Sequence, residues 1–218
     1  MDILAWKFIA ADHKLRYPHD PRELVAGETL INPLDKDTGS VVTSPVICKS
    51  GFHASIQVLD ALRYAPGSHI ARVEIGGLVD AQHDKICGTE CKVLWIADAD
   101  KALRLFAIDC REDQMTYQLR GREPSLAAIW AIDCARRYVN GEADAEELTA
   151  SRSAAAAAAA YADYADAYAA AAAADAAADA ADAAADAAAA DAAADADADA
   201  AAADRLTKAL EALAPEEI

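Results

Sequence analysis

Three groups of side chains in this sequence have the types and spacing that chemistry needs. The first is Cys48-Lys49-Ser50-Gly51-Phe52-His53-Ala54-Ser55. A histidine just after a strand-ending glycine projects into a cleft as acid, base or hydrogen-bond donor, unless its turn folds it back to bond locally. The second is Cys87-x3-Cys91, with His83 upstream and Cys48 and His53 elsewhere. These are zinc-ligand types without the usual two-pair spacing, so buried structural thiols are expected and no metal. There is no phosphate-binding glycine loop and no Gly-x-Ser-x-Gly elbow, and no cofactor is expected.

The third group lies in the alanine-rich end. Tyr161, Tyr164, Tyr168, Asp175, Asp179, Asp182 and Asp186 follow three–four steps with one skipped turn, so they share one helical face. Asp191, Asp195 and Asp199, joined by Asp163 and Asp166, sit on roughly the opposite side. Like charges one turn apart destabilise a helix by about 0.2–0.5 kcal/mol per pair. No Lys or Arg lies between Ser153 and Asp204 to answer them. The stripe is then free to meet something basic. The alternative is repeat expansion, with aspartate merely keeping polyalanine soluble.

The elements that must position these groups follow from periodicity and breakers. Ala5–Ala10, Glu28–Asn32, Pro45–Lys49, His69–Ile75 and Cys91–Ile96 read as strands, with Gly76-Gly77 ending the fourth. Ser55–Tyr64 reads as a helix with Ile56, Leu59 and Leu62 on one face, stopped by Pro66-Gly67. Asp98 or Asp100 caps a helix facing inward through Leu103, Phe106, Ala107 and Cys110. Ser125 caps the next, with Ile129, Trp130 and Cys134 inward and Asn140-Gly141 closing it. Strands first and helices after predict an α+β fold with a small mixed or antiparallel sheet. From Glu142 to Leu213 there is no Gly and no Pro, which predicts one very long Ala/Asp-rich α-helix, about 108 Å at 1.5 Å per residue. The expected parts are a β-rich domain at 1–98, a helical hairpin packing on it at 99–141, and the long helix at 142–214. The three tyrosines predict that Ser153–Tyr168 docks, near Trp130 and Tyr138 or on a second copy.

Charge narrows the partners. Ser151–Asp204 holds 37 Ala and 11 Asp among 54 residues. From Ser151 onward 14 acidic and 3 basic side chains give a net of −11, against −6 for the residues before it. Such a chain repels nucleic acid and anionic membranes, so the expected partner is a basic protein surface, with no direct nucleic acid and no membrane. Aspartate through the tract also excludes a bilayer span. Five cysteines and no basic leader after Met1 predict reduced thiols and a cytoplasmic location.

Cys48–Phe106 resembles an uncharacterised domain common in phage and prophage genomes. The matching pieces are Gly51-Phe52-His53-Ala54-Ser55, Leu59-Asp60-Ala61-Leu62-Arg63-Tyr64-Ala65-Pro66-Gly67, Asp84-Lys85 and Val93-Leu94-Trp95-Ile96-Ala97-Asp98. Phe106-Ala107 through the alanine tract resembles immunity-type proteins with alanine-rich tails, which carry arginine where this one carries aspartate. The resemblance implies a host-cell cytoplasmic location but no activity. A fainter likeness is to ADP-ribosyltransferases, through Gly51–Ser55, Tyr64-Ala65 and His69–Ile75. That likeness implies a nucleotide site with His53 at the NAD-stacking position and Glu90 as catalytic glutamate. It lacks the Arg-Gly or His-Gly pair on the first strand, around Trp6-Lys7-Phe8.

The leading expectation is therefore a non-enzymatic phage or prophage accessory protein that acts by binding. Its acidic helix (Asp175, Asp179, Asp182, Asp186, with Tyr161, Tyr164 and Tyr168) would engage the basic, nucleic-acid-holding surface of a host protein, as an anti-defence inhibitor. The alternatives are an ADP-ribosyltransferase-like nucleotide module or enzyme using His53 and Glu90, and a structural protein that self-associates through alanine faces.

Overall fold

In the computed structural model, residues 2–16, 19–161, 164–181 and 200–215 are described. Alternation of apolar residues builds β1 (Ile3–Ile9), which buries Ala5, Trp6, Phe8 and Ile9. β4 (His69–Ala81) and β5 (Ile86–Asp98) form a long antiparallel hairpin, and β1 pairs antiparallel with β4 from Ile3↔Ile75 to Ile9↔His69. The short strands β2 (Thr29–Ile31) and β3 (Phe52–Ala54) both pair antiparallel with β5, opposite Glu90–Lys92 and Ile86–Gly88 respectively. Ser55, directly after β3, then exchanges two backbone bonds with Trp6, at 2.7 and 2.9 Å. The sheet thus curls until β1 meets the end of β3. A cross-strand ladder of Trp6, Arg72 and Trp95 braces it. The Arg72 guanidinium lies 4.0 Å from the centroid of the Trp6 ring, and the two indoles meet edge-on at 5.9 Å.

Gly76-Gly77 does not end β4. The register shifts there, and Gly77 sits at φ 71 with Leu78 N–H donating to Thr89 Oγ1 at 3.0 Å. A Cβ on Gly77 would lie 2.1 Å from that hydroxyl, so the glycine permits a bulge, which bends a strand without stopping it. Pro45–Lys49 is not a strand. It is a turn closed by the Val46–Ser50 bridge, with Cys48 left-handed at φ 63. The helix α1 (Val58–Leu62) is shorter than expected, and Ile56 is exposed before it begins.

The helices come second, as an α+β order requires. α2 (Asp100–Leu119) buries Leu103, Phe106, Ala107 and Cys110. α3 (Leu126–Asn140) starts on a Ser125 hydroxyl that accepts from Ala128 N–H and ends on left-handed Gly141. Its inward face is Ala128, Ala131, Cys134 and Ala135, whereas Ile129 and Trp130 are exposed.

The expected single helix from Glu142 to Leu213 is corrected. Among the described residues the tract forms α4 (Ala145–Tyr161), α5 (Tyr164–Ala181) and α6 (Ala200–Glu211). α4 and α5 pack on each other, and α5 also packs on α2 and α3. Ala169, Ala173, Ala176 and Ala180 are buried on α5 against a cluster holding Ile108, Met115, Ile132 and Leu148. A bare rod would leave those methyls in water, and burial favours folding back by about 0.8 kcal/mol per carbon. Small side chains also let helix axes approach closely. Tyr138 packs on the same cluster.

The chain divides into two units. One holds the residues through Ala99 together with those from Leu206 on; the other is Asp100–Arg205. The first has its own core, including Ile9, Leu24, Phe52, Val73, Ile86 and Val93. Among the described residues no helix is long and apolar enough to cross a membrane.

Candidate binding pocket

The curl of the sheet leaves an open pocket of about 280 Å³ in the first unit. β1 supplies Trp6 to Ile9, and the loop after it supplies Lys14 to Arg16. Cys48, His53 and Ala54 of β3 with Ser55 after it, Ala61 of α1 with Tyr64 and Pro66 beyond it, and Lys85 of the β4–β5 turn complete it. Four of these side chains are cations, Lys7, Lys14, Arg16 and Lys85, and no carboxylate is among the described lining residues. Asp12 and Asp84 pair with Arg16 and Lys85 from outside the lining, which leaves a local positive excess in a chain of net charge −17.

Lys14 is exposed, and the other three cations are each held differently. Lys7 points off an otherwise apolar strand and donates from Nζ to the His53 carbonyl at 2.8 Å. Burial pushes its ammonium below the ordinary lysine value. Arg16 is exposed and forks onto Asp12 at 2.9 and 3.2 Å, so part of its charge is spent locally. Lys85 stands beside the Cys48 thiol, 4.6 Å over the Tyr64 ring, with Nζ donating to the Tyr64 hydroxyl at 3.2 Å. Those contacts, Cys48 first, push its ammonium up. The Tyr64 hydroxyl donates in turn to buried Asp84 at 2.5 Å and holds that carboxyl below its usual range. Tyr64 is thereby fixed at the rim although half its surface is exposed.

His53 lies in the pocket wall, but its nitrogens work locally. Nε2 accepts from Cys48 N–H at 2.9 Å, and the ring also bonds the Gly51 backbone. Burial, with Lys7 next in effect, lowers its pKa to about 4. The neutral ring ties the Cys48–Phe52 turn to β3. Glu90 is exposed on β5 opposite Ile31 and Gly76, and it is not among the residues lining the pocket. His53 and Glu90 are therefore not brought into one site. Cys87 and Cys91 are buried free thiols, both pushed up to about 11 by desolvation.

The acidic stripe is only partly open. Asp175 and Tyr168 are exposed on α5. Asp179, expected to be available, is instead paired with the buried guanidinium of Arg111 on α2, at 3.2 Å. Asp182 and Asp186, with Asp163, Asp191, Asp195 and Asp199, lie outside the described residues, as do the side chains of Tyr161 and Tyr164.

Sequence reasoning found His53 and missed the cations around it. One signal was available: Lys7 interrupts an apolar strand between Trp6 and Phe8. The residues that carried the resemblance also converge in space, since His53, Ala54, Ser55, Ala61, Tyr64, Pro66 and Lys85 all line the pocket. No curated protein and no solved structure gave a match. Residues 36–105, less than half of the chain, are similar to a domain of unknown function, DUF7666, whose span takes in the pocket from Cys48 to Lys85 but not the wall built by β1.

Proposed function

We propose that the chain is a binding protein whose first unit holds a small anionic ligand. The observation that carries this is the pocket with four cations and no lining carboxylate, in a chain that is otherwise strongly acidic. Ligand pockets usually span about 300–1,000 Å³. At about 280 Å³ this one suits a mononucleotide-sized or smaller phosphate or carboxylate compound and is small for a dinucleotide. Together with the placement of Glu90 outside it, the size favours binding over ADP-ribosyl transfer from NAD. The test is calorimetry on the full chain with inorganic phosphate, citrate, AMP and NAD. Binding of one of the first three is expected, weakened by salt because exposed charges are screened beyond about 10 Å at 0.1 M. Lys85→Gln should weaken it further. No heat with any of them in a folded sample overturns this function.

The setting we propose is that of a phage or prophage accessory protein, on the resemblance carried by Gly51–Ser55, Leu59–Gly67 and Val93–Asp98. A second contact follows from the net of −11 beyond Ser151 and the exposure of Asp175: the acidic end meets a basic protein surface. Asp175→Asn should then lower affinity for a captured partner and flatten its salt dependence. Unchanged affinity and slope would remove Asp175 from the contact.

A further inference from the structure

Arg16 pairs with Asp12, Lys85 has Asp84 at 4.0 Å, and Lys14 is an exposed surface lysine; among the described lining cations Lys7 is explained in neither way. It sits in the middle of β1, between Trp6 and Phe8, where the neighbouring residues are buried. It is half-buried, faces a walled pocket, and has a carbonyl rather than a carboxylate as its hydrogen-bond partner. We propose that Lys7 is a nucleophilic amine that captures an anionic carbonyl compound as an imine, with Lys14 and Lys85 receiving the anionic group. This rests on the anion-binding function proposed above and names the ligand class.

The chemistry balances without a further reagent. The neutral amine attacks the carbonyl carbon through its lone pair, giving a carbinolamine. Two N–H protons leave with the carbonyl oxygen as water, and a C=N bond replaces C=O. Nothing is oxidised or reduced. When the imine nitrogen takes up a proton, it keeps one N–H, which can still donate to the His53 carbonyl that now holds the amine at 2.8 Å. Desolvation is a recognised way to give a lysine its lone pair near neutral pH, and neighbouring cations act in the same direction. Burial lowers the Lys7 ammonium in that sense.

The experiment uses the full chain, pyridoxal 5′-phosphate as the anionic aldehyde, pyridoxal as its uncharged counterpart, and cyanoborohydride to reduce any imine to a stable secondary amine. Peptide mapping by mass spectrometry locates the label. The expected result is label concentrated on Lys7, suppressed by inorganic phosphate, and much weaker with pyridoxal. Lys7→Arg keeps the charge and a donor for the His53 carbonyl but cannot form the imine, so it should lose that label. If Lys7→Arg does not fold, the wild-type map with its phosphate competition decides alone. Label spread over Lys36, Lys49, Lys92 and Lys101, with phosphate still bound by calorimetry, overturns the imine and leaves the anion pocket standing. Label on Lys7 that neither phosphate nor loss of the aldehyde's phosphate group changes overturns the anionic ligand class.

Discussion

Asp179→Ala tests whether the alanine tract is a packed part of the helical unit or a loosely held tail. The Arg111 side chain is only 7% exposed, and its Nε lies 3.2 Å from the Asp179 carboxylate, itself 15% exposed. Gln114 Oε1, at 3.3 Å from Nη1, is a neutral second acceptor. Removing the carboxylate takes one counter-charge away from a buried guanidinium. Breaking a buried pair this way costs about 3–5 kcal/mol when nothing replaces the lost partner. Here Gln114 remains among the acceptors and the site is not sealed, Asp179 being 15% exposed, so about 2–3 kcal/mol is expected. For a chain of this size roughly 2–4 °C of melting temperature accompanies each kcal/mol, giving a fall of about 4–12 °C. The assay is thermal unfolding followed by circular dichroism. Asp175→Ala is the control: it lies one turn earlier on the same helix and is exposed. It should change stability by less than about 0.5 kcal/mol, and relief of repulsion from Asp179 tilts it toward gain. Adding Arg111→Met to Asp179→Ala should recover part of the loss, because an apolar side chain needs no counter-charge. Equal melting of Asp179→Ala and Asp175→Ala would refute the reasoning.

Two further perturbations probe the first unit. His53 is lowered from 6.5 to about 4 in the fold, so as pH falls the unfolded chain takes the proton first. Stability is full above pH 6.5 and is lost toward pH 4, by roughly 3 kcal/mol from this group. Denaturant titrations of the wild type and His53→Gln should differ in slope across that window, and parallel pH profiles would show that the ring is not held neutral by folding. Gly88→Ala should destabilise by more than about 2 kcal/mol, since its Cβ would lie 2.6 Å from both the Gly76 carbonyl oxygen and Ile75 Cγ2 on β4. Melting within about 1 kcal/mol of the wild type would mean that the β4–β5 pair has room to part.

Where large apolar residues alternate, the fold was legible. Trp6, Phe8, Ile70 and Val93 marked β1, β4 and β5, and the caps at Ser125 and Gly141 bounded α3 to the residue. Where glycine or alanine carries the structure, it was not. Gly76-Gly77 reads as a strand end because a bulge uses the same residue type as a break. Ile129 and Trp130 read as inward because large side chains usually are, but α3 turns Ala128, Ala131 and Ala135 to an alanine-built core. In the tract itself, alanine records helix propensity and nothing about which methyls meet. The tyrosine and aspartate period identified a face, and exposed Tyr168 and Asp175 lie on it. It could not reveal that Arg111, distant in the sequence, would take Asp179. The pocket was half legible. His53 stood out as a type, whereas Lys7, Lys14 and Lys85 become a group only when the sheet curls.

That curl sets an order of events in time. β4 and β5 are joined by a tight turn, with Ala81 opposite Ile86, so their hairpin closes over a short stretch of chain. β1 must wait for partners far along the chain: Ile3 pairs with Ile75, and Trp6 bonds Ser55. Closing a long loop carries an entropy cost that local pairing does not, and non-local contacts slow folding. On a ribosome β1 is made before β4, and it finds its place only after β4 has emerged. Lys7 travels with it, so the nascent chain carries its amine in water until the sheet is nearly complete.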